Sequence, residues 1–259
     1  MRNTHCGAWW CATVTACIGG TLLLGAPVAR ADLLQGTVFK VEARTASGGR
    51  VAEPIVVDAS ELTDEGGGLY SWSPMWALPL EDQYGEIATL NNAFIMYVSD
   101  PKGFGTFDIT SQVAGENIIL TITYALLTTP ALSPAQGGAS ASLNLSDVIG
   151  SSPGATIAGQ YAGPACFIAN YNGMAPGGTN FASLIDGIDI PGGSFGVSQD
   201  YPVGEPYASI ATPVVDMSMQ FMFSLTPGDN ATGNASYEII PEPAAGLLAV
   251  GLLALLRRR

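Results

Sequence analysis

The segment Asp216-Met217-Ser218-Met219-Gln220-Phe221-Met222-Phe223-Ser224-Leu225 has the clearest structural pattern in the chain. Large apolar side chains occupy every second position from 217 to 225, and most positions between them are polar. Successive side chains of a β-strand point to opposite faces of a sheet, so this alternation predicts a strand with one face on the core.

Shorter segments of similar character on the N-terminal and C-terminal sides predict further strands. Residues 117–124 are rich in β-branched side chains and predict a central strand. Residues 93–98 and 106–110 flank Asp100-Pro101-Lys102-Gly103, which matches a type I turn, and therefore predict a hairpin. Residues 235–240 predict a strand that pairs with 216–225. Other strands are expected at residues 36–44, 50–58 and 70–72, and a short helix at residues 81–92.

Residues 128–193 consist mostly of Gly, Ala, Ser and Pro, and both short strands and long ordered loops fit this composition. The chain has no fixed-period repeat, which disfavours solenoids and propellers. Many short strands separated by Gly/Pro turns are typical of antiparallel sandwiches. We therefore predict an all-β fold, an antiparallel β-sandwich of jelly-roll-like type.

The C-terminus combines three features in order: Ile240-Pro241-Glu242-Pro243, an uncharged apolar run at 244–256, and Arg257-Arg258-Arg259. At about 1.5 Å per residue the apolar run would form a helix roughly 20 Å long. Snorkelling arginines and local thinning of the bilayer would let so short a helix cross a membrane. Arginines that follow a span stay cytoplasmic, which places the rest of the chain outside.

Pro241-Glu242-Pro243, the short apolar helix and the terminal arginines together resemble the PEP-CTERM sorting signal of exported Gram-negative proteins. The resemblance covers residues 240–259 and implies processing by an exosortase, a membrane-embedded sorting enzyme. It also implies that the tail is a sorting signal that is recognised and then cleaved from the protein. A permanently membrane-anchored surface protein is the alternative.

The N-terminus predicts export as well. Arg2 supplies a positive start, and an apolar stretch at 7–24 follows it. Ala29-Arg30-Ala31 then has the small-x-small pattern that signal peptidase cleaves, so the mature chain is expected to begin at Asp32. We therefore divide the chain into a signal peptide (1–31), an exported acidic domain (32–240) and a sorting signal (241–259).

Histidine and cysteine usage excludes several classes of enzyme. The single histidine, His5, lies in the signal peptide, and Cys166 is the only cysteine beyond it. Ser-His-Asp and Cys-His catalysis are thereby excluded in their usual forms, as are the usual zinc, copper and non-haem iron sites. Cys166 is expected to be a buried, unreactive thiol. We predict a protein that is not an enzyme and has no cofactor.

The charge of the chain excludes nucleic acid as a partner. It has nine basic and 22 acidic residues, and only Lys40, Arg44, Arg50 and Lys102 are basic within 32–240. Nucleic-acid binding requires a basic surface that neutralises phosphates. The acidic surface instead favours solubility outside the cell.

Two groups of residues are candidate ligand sites. Trp72 and Trp76 are the only tryptophans of the exported domain and could stack on sugar rings, although large aromatic side chains are more often core residues. Asp186 and Asp189 are weak candidates for a calcium site, because they lack the regular spacing of a calcium loop.

We therefore expect an exported protein of the cell envelope or extracellular matrix with a structural, adhesive or glycan-binding role. Its expected partners are signal peptidase, an exosortase-type enzyme and extracellular polysaccharide. It would contact the inner membrane through its tail during sorting. The alternative from another class is a glycan hydrolase that uses two carboxylates.

Overall fold

Extended backbone dominates the part of the chain that the computed structural model describes, which is residues 34, 36–99, 101–148 and 154–242. These residues belong to one compact unit. The proposed signal peptide and the tail beyond Glu242 lie outside the described residues. The strands of the described part are β1 (Thr37–Thr45), β2 (Ile55–Asp58), β3 (Thr63–Gly66), β4 (Leu69–Trp72), β5 (Leu78–Asp82), β6 (Gly85–Val98), β7 (Lys102–Ser111), β8 (Ile118–Tyr124), β9 (Leu127–Leu132), β10 (Ala135–Ser146), β11 (Ala155–Gly159), β12 (Phe167–Tyr171), β13 (Thr179–Leu184), β14 (Ile188–Ile190), β15 (Ser194–Tyr201), β16 (Ala208–Ile210), β17 (Val214–Leu225) and β18 (Asn230–Pro241).

The strands form two antiparallel sheets of nine strands each, which confirms the all-β prediction. Sheet 1 has the order β13-β12-β17-β8-β1-β2, with β9 and β11 also paired to β17 and β14 paired to β11. Sheet 2 has the order β15-β10-β18-β7-β6-β4-β3, with β16 paired to β10 and β5 paired to β6. In the described part the only helical element is a 3-10 turn, Ala59–Glu61, and no described helix is long and apolar enough to cross a membrane.

The strand at 216–225 is confirmed as β17, and it lies inside sheet 1 between β12 and β8. Its predicted apolar face is buried, with Phe221 and Phe223 fully inaccessible. Ser218 and Gln220 on the opposite face are buried as well. The segment after β12 covers them, because the Ala175 amide donates to Ser218 Oγ at 2.8 Å. The predicted central strand at 117–124 is likewise confirmed as β8, which pairs with both β1 and β17.

The predicted pairing of 235–240 with 216–225 is wrong. β18 lies in sheet 2, between β10 and β7, whereas β17 pairs with β8 in sheet 1. The turn between them therefore carries the chain from one sheet to the other. Two strands that face each other across a core have the same period-two pattern as two strands of a hairpin, so the pattern did not separate these cases.

The predicted helix at 81–92 is also wrong, because this segment contains the end of β5 and the first half of β6. Gly85 has φ of +117° at the tight turn between these strands. The register of β6 against β7 shifts between Leu90 and Asn92, as in a β-bulge. The extra residue interrupts the alternation that would otherwise have identified the strand. The hairpin of residues 93–98 and 106–110 is confirmed by β6 and β7.

Aromatic side chains fill the space between the sheets. Phe107 on β7 packs against Phe221 and Phe223 on β17, with ring centroids 5.2 and 6.0 Å apart. Phe221 also contacts Phe167 on β12 at 4.9 Å. These rings join the middle strands of both sheets into one core.

Tyr97 on β6 supplies a polar link between the sheets. Its buried hydroxyl donates to the carbonyl of Val38 on β1 at 2.5 Å and accepts from the amide of Ala125, just after β8, at 3.1 Å. Burial raises the pKa of Tyr97, so the hydroxyl keeps its proton over the whole physiological range. Tyr124 lies nearby, but its buried hydroxyl has no partner among the described residues.

We expect Tyr97→Phe to lower the free energy of unfolding by about 2 kcal/mol or more, because it leaves a buried carbonyl and a buried amide without partners. Urea denaturation followed by circular dichroism measures the change. Tyr124→Phe is the matched control and should have little effect, since it removes an oxygen that makes no hydrogen bond in the described part of the chain. Equal losses in the two variants would contradict the proposed link.

Candidate functional site

The outer face of sheet 2 presents a regular set of short polar side chains. Along β10, β18 and β7 the inward positions are Ala, Gly, Leu, Ile, Phe or Tyr in most cases, and the outward positions are mainly Ser, Thr, Asn and Asp. The outward residues form what we call the polar face: Ser140, Ser142, Asn144 and Ser146 on β10; Asn230, Thr232, Asn234 and Ser236 on β18; Thr106, Asp108 and Thr110 on β7.

The strand register aligns these residues into rows across the sheet. Asn144 pairs with Thr232, which pairs with Asp108, which pairs with Asn92 on β6. The adjacent row contains Ser142, Asn234, Thr106 and Phe94. Neighbouring strands lie about 4.8 Å apart, so each row places its side chains within reach of a single small ligand.

The two rows enclose a depression of about 340 Å³, which we call the central depression. Five of the polar side chains that line it make no hydrogen bond to another described residue: those of Asn92, Thr106, Ser142, Thr232 and Asn234. Hydroxyls and amides both donate and accept hydrogen bonds. The central depression therefore presents many polar groups whose bonding capacity is left to solvent or a ligand.

Asp108 is the one acidic residue that lines the central depression, and two amides hold it in place. Its Oδ1 accepts from Asn91 Nδ2 at 3.0 Å and from Asn230 Nδ2 at 2.6 Å. Both amides also donate to Thr110 Oγ1. This network fixes the rotamers at one side of the depression before any ligand arrives.

A second depression, of about 370 Å³, lies further along β10 and β18, and we call it the acidic depression. Ser140, Ser236 and Glu238 line it from the sheet, and the loop after β15 contributes Glu205 and Tyr207. Glu238 Oε2 accepts from Lys102 Nζ at 3.2 Å and from the Tyr207 hydroxyl at 3.3 Å. Desolvation and the nearby Glu238 carboxylate raise the pKa of Tyr207, so this phenol remains a donor.

The two predicted glycan-stacking residues have different environments. Trp72 on β4 is half-buried and packs against Phe39, with ring centroids 5.8 Å apart and planes inclined by 41°. Trp76 is 69% exposed. Both line a cavity of about 450 Å³ beside β2, together with the exposed Met75. Trp76 is thus placed to offer a ring face, whereas Trp72 is part of the edge of the core.

Asp186 and Asp189, the calcium candidates, are both exposed. Asp189 Oδ1 accepts from Thr156 Oγ1 at 2.8 Å across the β11–β14 pair. Within the ranges that the structure covers, no group of three or more His, Cys, Asp or Glu side chains is arranged to hold a metal ion. The calcium site stays a prediction without an identified set of ligands.

Two residues of the predicted sorting motif are attached to sheet 2. Pro241 is the last residue of β18 and pairs with Ala135. The Glu242 amide donates to the Pro134 carbonyl at 3.0 Å, and Glu242 Oε1 accepts from Gln136 and Ser209 at 3.4 Å each. Pro243, Arg257, Arg258 and Arg259 lie outside the described residues, as do Ala29, Ala31 and Asp32 of the predicted cleavage site.

A further cavity lies beside the Arg50–Asp82 ion pair, and it is separate from the polar face. Arg50 donates to both carboxylate oxygens of Asp82, at 3.0 and 2.7 Å. These hydrogen bonds hold the pKa of Asp82 below its ordinary value. Gln83 and Tyr84 line this cavity and are exposed.

The polar face was not identified from the sequence. All of its β10 residues fall in the region 128–193, where the composition fits both strands and loops, and its Asn230–Asn234 portion lies in a Gly- and Asn-containing segment that is typical of a turn. A period-two signal is nevertheless present in Ala139-Ser140-Ala141-Ser142-Leu143-Asn144-Leu145-Ser146. Ala contrasts with Ser too weakly for hydrophobicity alone to reveal this alternation.

No protein-family model matches this chain, and comparison with curated proteins gives no match. Among solved structures, the chain is similar to the enzymatically active domain of tailspike protein 4 of bacteriophage CBA120. The match has 13% sequence identity and a TM-score of 0.27, and it covers 70% of this chain and 20% of that one. A TM-score of this size does not establish a shared fold.

Cys166, directly before β12, has the environment of a structural thiol. It is fully buried, and burial, together with the charge of Asp186, raises its pKa to about 12. Thiolate is the reactive form of cysteine, so both accessibility and ionisation disfavour reaction.

We expect Cys166 in the folded chain to resist a maleimide reagent at pH 8 and to react fully once urea has unfolded the chain. Peptide mapping by mass spectrometry measures the maleimide labelling of Cys166 separately from that of the N-terminal cysteines. Equal labelling rates with and without urea would show that the thiol is accessible in the native state.

Proposed function

We propose that this chain is an exported protein of the cell envelope or extracellular matrix that is sorted through its C-terminal tail and binds polysaccharide through the polar face of sheet 2. Its role is structural or adhesive rather than catalytic. The observation on which the glycan-binding part depends is the central depression, where polar side chains without protein partners line a concave surface.

The chemistry of the central depression fits sugar hydroxyls better than other common ligands. Ser, Thr and Asn side chains supply both donors and acceptors, and sugar hydroxyls need both. Neither Lys nor Arg lines the depression, so it offers no countercharge to phosphate groups. Each hydrogen bond to a neutral group contributes about 0.5–1.5 kcal/mol, so several acting together would give useful affinity.

The sorting part of the proposal is supported by the two end segments of the sequence. An export signal at the N-terminus and a short apolar tail that ends in arginines agree on one topology, with the acidic body outside. β18 ends at Pro241 and Glu242 is bonded to Pro134, so the folded domain extends to the first residues of the motif.

We also propose that the strands have a jelly-roll-like arrangement. It is supported by β7 and β18 pairing in one sheet while the strands that follow and precede them, β8 and β17, pair in the other.

A carboxylate-based glycan hydrolase is the second candidate, and the acidic depression is the observation that favours it. Asp200, Glu205 and Glu238 all line this depression, together with Ser140 and Ser236 of the polar face. Two suitably spaced carboxyl groups are sufficient for glycoside hydrolysis. Release of reducing ends from a bound polysaccharide would support this candidate and contradict the structural role.

The combined variant Thr106→Val and Asn234→Ala should lower the affinity for a bound glycan about tenfold or more, because it removes at least two side-chain hydrogen bonds. A glycan array first identifies a ligand of the full-length chain, and isothermal titration then compares the variants. Gln83→Ala, a truncation in the separate cavity beside Arg50, is the control. Trp76→Ala tests the cavity beside β2 as a competing site. A loss of glycan affinity in that variant alone would show that the glycan binds in this cavity and not in the central depression.

Terminal mass spectrometry of the extracellular protein from its native cells should find Asp32 at the N-terminus and a C-terminus that lacks Arg257, Arg258 and Arg259. An intact Arg259 on the mature protein would exclude removal of the tail. If that intact form remained in the membrane fraction, the tail would be a permanent anchor.

A further inference from the structure

The central and acidic depressions lie on the same pair of strands. Ser142 on β10 and Asn234 on β18 line the first, and Ser140 and Ser236, each two residues further along, line the second. Side chains two residues apart on a strand point to the same face. The two depressions therefore follow one another along the strand direction without a break in the sheet.

The combined length of the two depressions suits a chain-like ligand. On β10 they extend from Asn144 to Gly138, which is about 20 Å at roughly 3.4 Å per residue. The loop after β15 bounds the far end, because it packs closely on the strand. A Cβ atom at Gly138 would lie 2.5 Å from the Pro206 carbonyl oxygen.

One flank of this surface is aromatic. Phe94 on β6 and Phe104 on β7 continue the rows that begin with Ser142 and Ser140. Their rings contact each other with centroids 6.2 Å apart. A pyranose ring has polar edges and apolar faces, so a polar strip beside an aromatic flank complements both parts of it.

The charged residues that line the two depressions restrict the class of glycan that could bind there. The two depressions are lined by Asp108, Asp200, Glu205 and Glu238, and no lysine or arginine lines either of them. Lys102, the cation next to this surface, is bonded to Glu238. A glycan that carries carboxylate or sulfate groups would therefore meet like charge along the whole length.

We infer that the two depressions are subsites of one track, and that the track binds a neutral linear polysaccharide lying parallel to β10 and β18. This inference rests on the proposed glycan-binding function and adds the charge class, orientation and length of the ligand. A ligand long enough to fill both subsites gains contacts that a short one lacks, so affinity must depend on chain length.

The test is isothermal titration of the full-length chain with defined oligosaccharides. The neutral probes are the hexamers and trimers of cello-, xylo-, manno- and laminari-oligosaccharides, and the anionic probe is hexagalacturonate. We expect at least one neutral hexamer to bind ten or more times more tightly than its own trimer. Hexagalacturonate should bind more weakly than that hexamer, and added salt should reduce the difference.

Two variants locate the subsites. Asn234→Ala alters the central depression and Tyr207→Ala alters the acidic depression, and each should weaken hexamer binding severalfold. The variant in the subsite that the trimer does not occupy should in addition lower the ratio of hexamer to trimer affinity. Gln83→Ala and Tyr84→Ala, exposed side chains of the same types in the separate cavity beside Arg50, should leave that ratio unchanged. Thermal unfolding of each variant verifies that the fold is retained.

The possible failures are distinguishable. Equal affinities for hexamer and trimer would overturn the track while leaving the glycan-binding function intact. Tighter binding of hexagalacturonate would overturn the neutral class. If no probe bound, both the inference and the proposed glycan-binding function would be overturned.

Discussion

The contact between Tyr124 and Gly105 defines how closely the two sheets approach. Tyr124 extends from β8 in sheet 1 and lies against the backbone of Gly105 on β7 in sheet 2, where any Cβ atom would overlap its ring. A close-packed core leaves few voids, so a large side chain on one sheet can be accommodated by a small residue on the other. The same relation holds where Phe181 of β13 meets Gly137 of β10, since a Cβ atom there would lie 2.9 Å from the ring. The rest of the structure depends on these matched positions.

Small inward residues alternate with short polar outward residues along β10 and β18. β10 and β18 place Ala and Gly at many inward positions, because aromatic side chains of the opposite sheet and of β7 occupy the space next to them. Their outward positions do not contact the core, so Ser, Thr and Asn can occupy them without weakening its packing. Short side chains on long, regular strands leave a shallow concave surface rather than a closed pocket. Such a surface suits a ligand held by many weak polar contacts.

Particular residues show why some sequence predictions succeeded and others failed. β17 was predicted because large apolar and polar residues alternate strongly in it, and β8 because it is rich in β-branched side chains. The strands in residues 81–92 were not predicted, because the bulge between Leu90 and Asn92 shifts the alternation of apolar and polar residues by one position. β18 was recognised as a strand but assigned to the wrong sheet, since the turn after β17 gives no indication of whether the chain returns or crosses over. The candidate site was missed because Ala and Ser differ too little in polarity.

The sequence by itself determined the all-β class, the absence of histidine from residues 32–240 and the acidic charge of the chain. These properties depend on composition and on local alternation, which are present in the chain before it folds. Only the tertiary structure decided which strands are neighbours outside the β6–β7 hairpin, and hence that residues from β6, β7, β10 and β18 line one depression. The physical reason is that backbone hydrogen bonds between strands bring together residues that are far apart in the sequence. Asn92 and Thr232, for example, each pair with Asp108 and so lie in one row. Any strand with a similar pattern can form such bonds, so the choice of partner is made by the packing of the whole core.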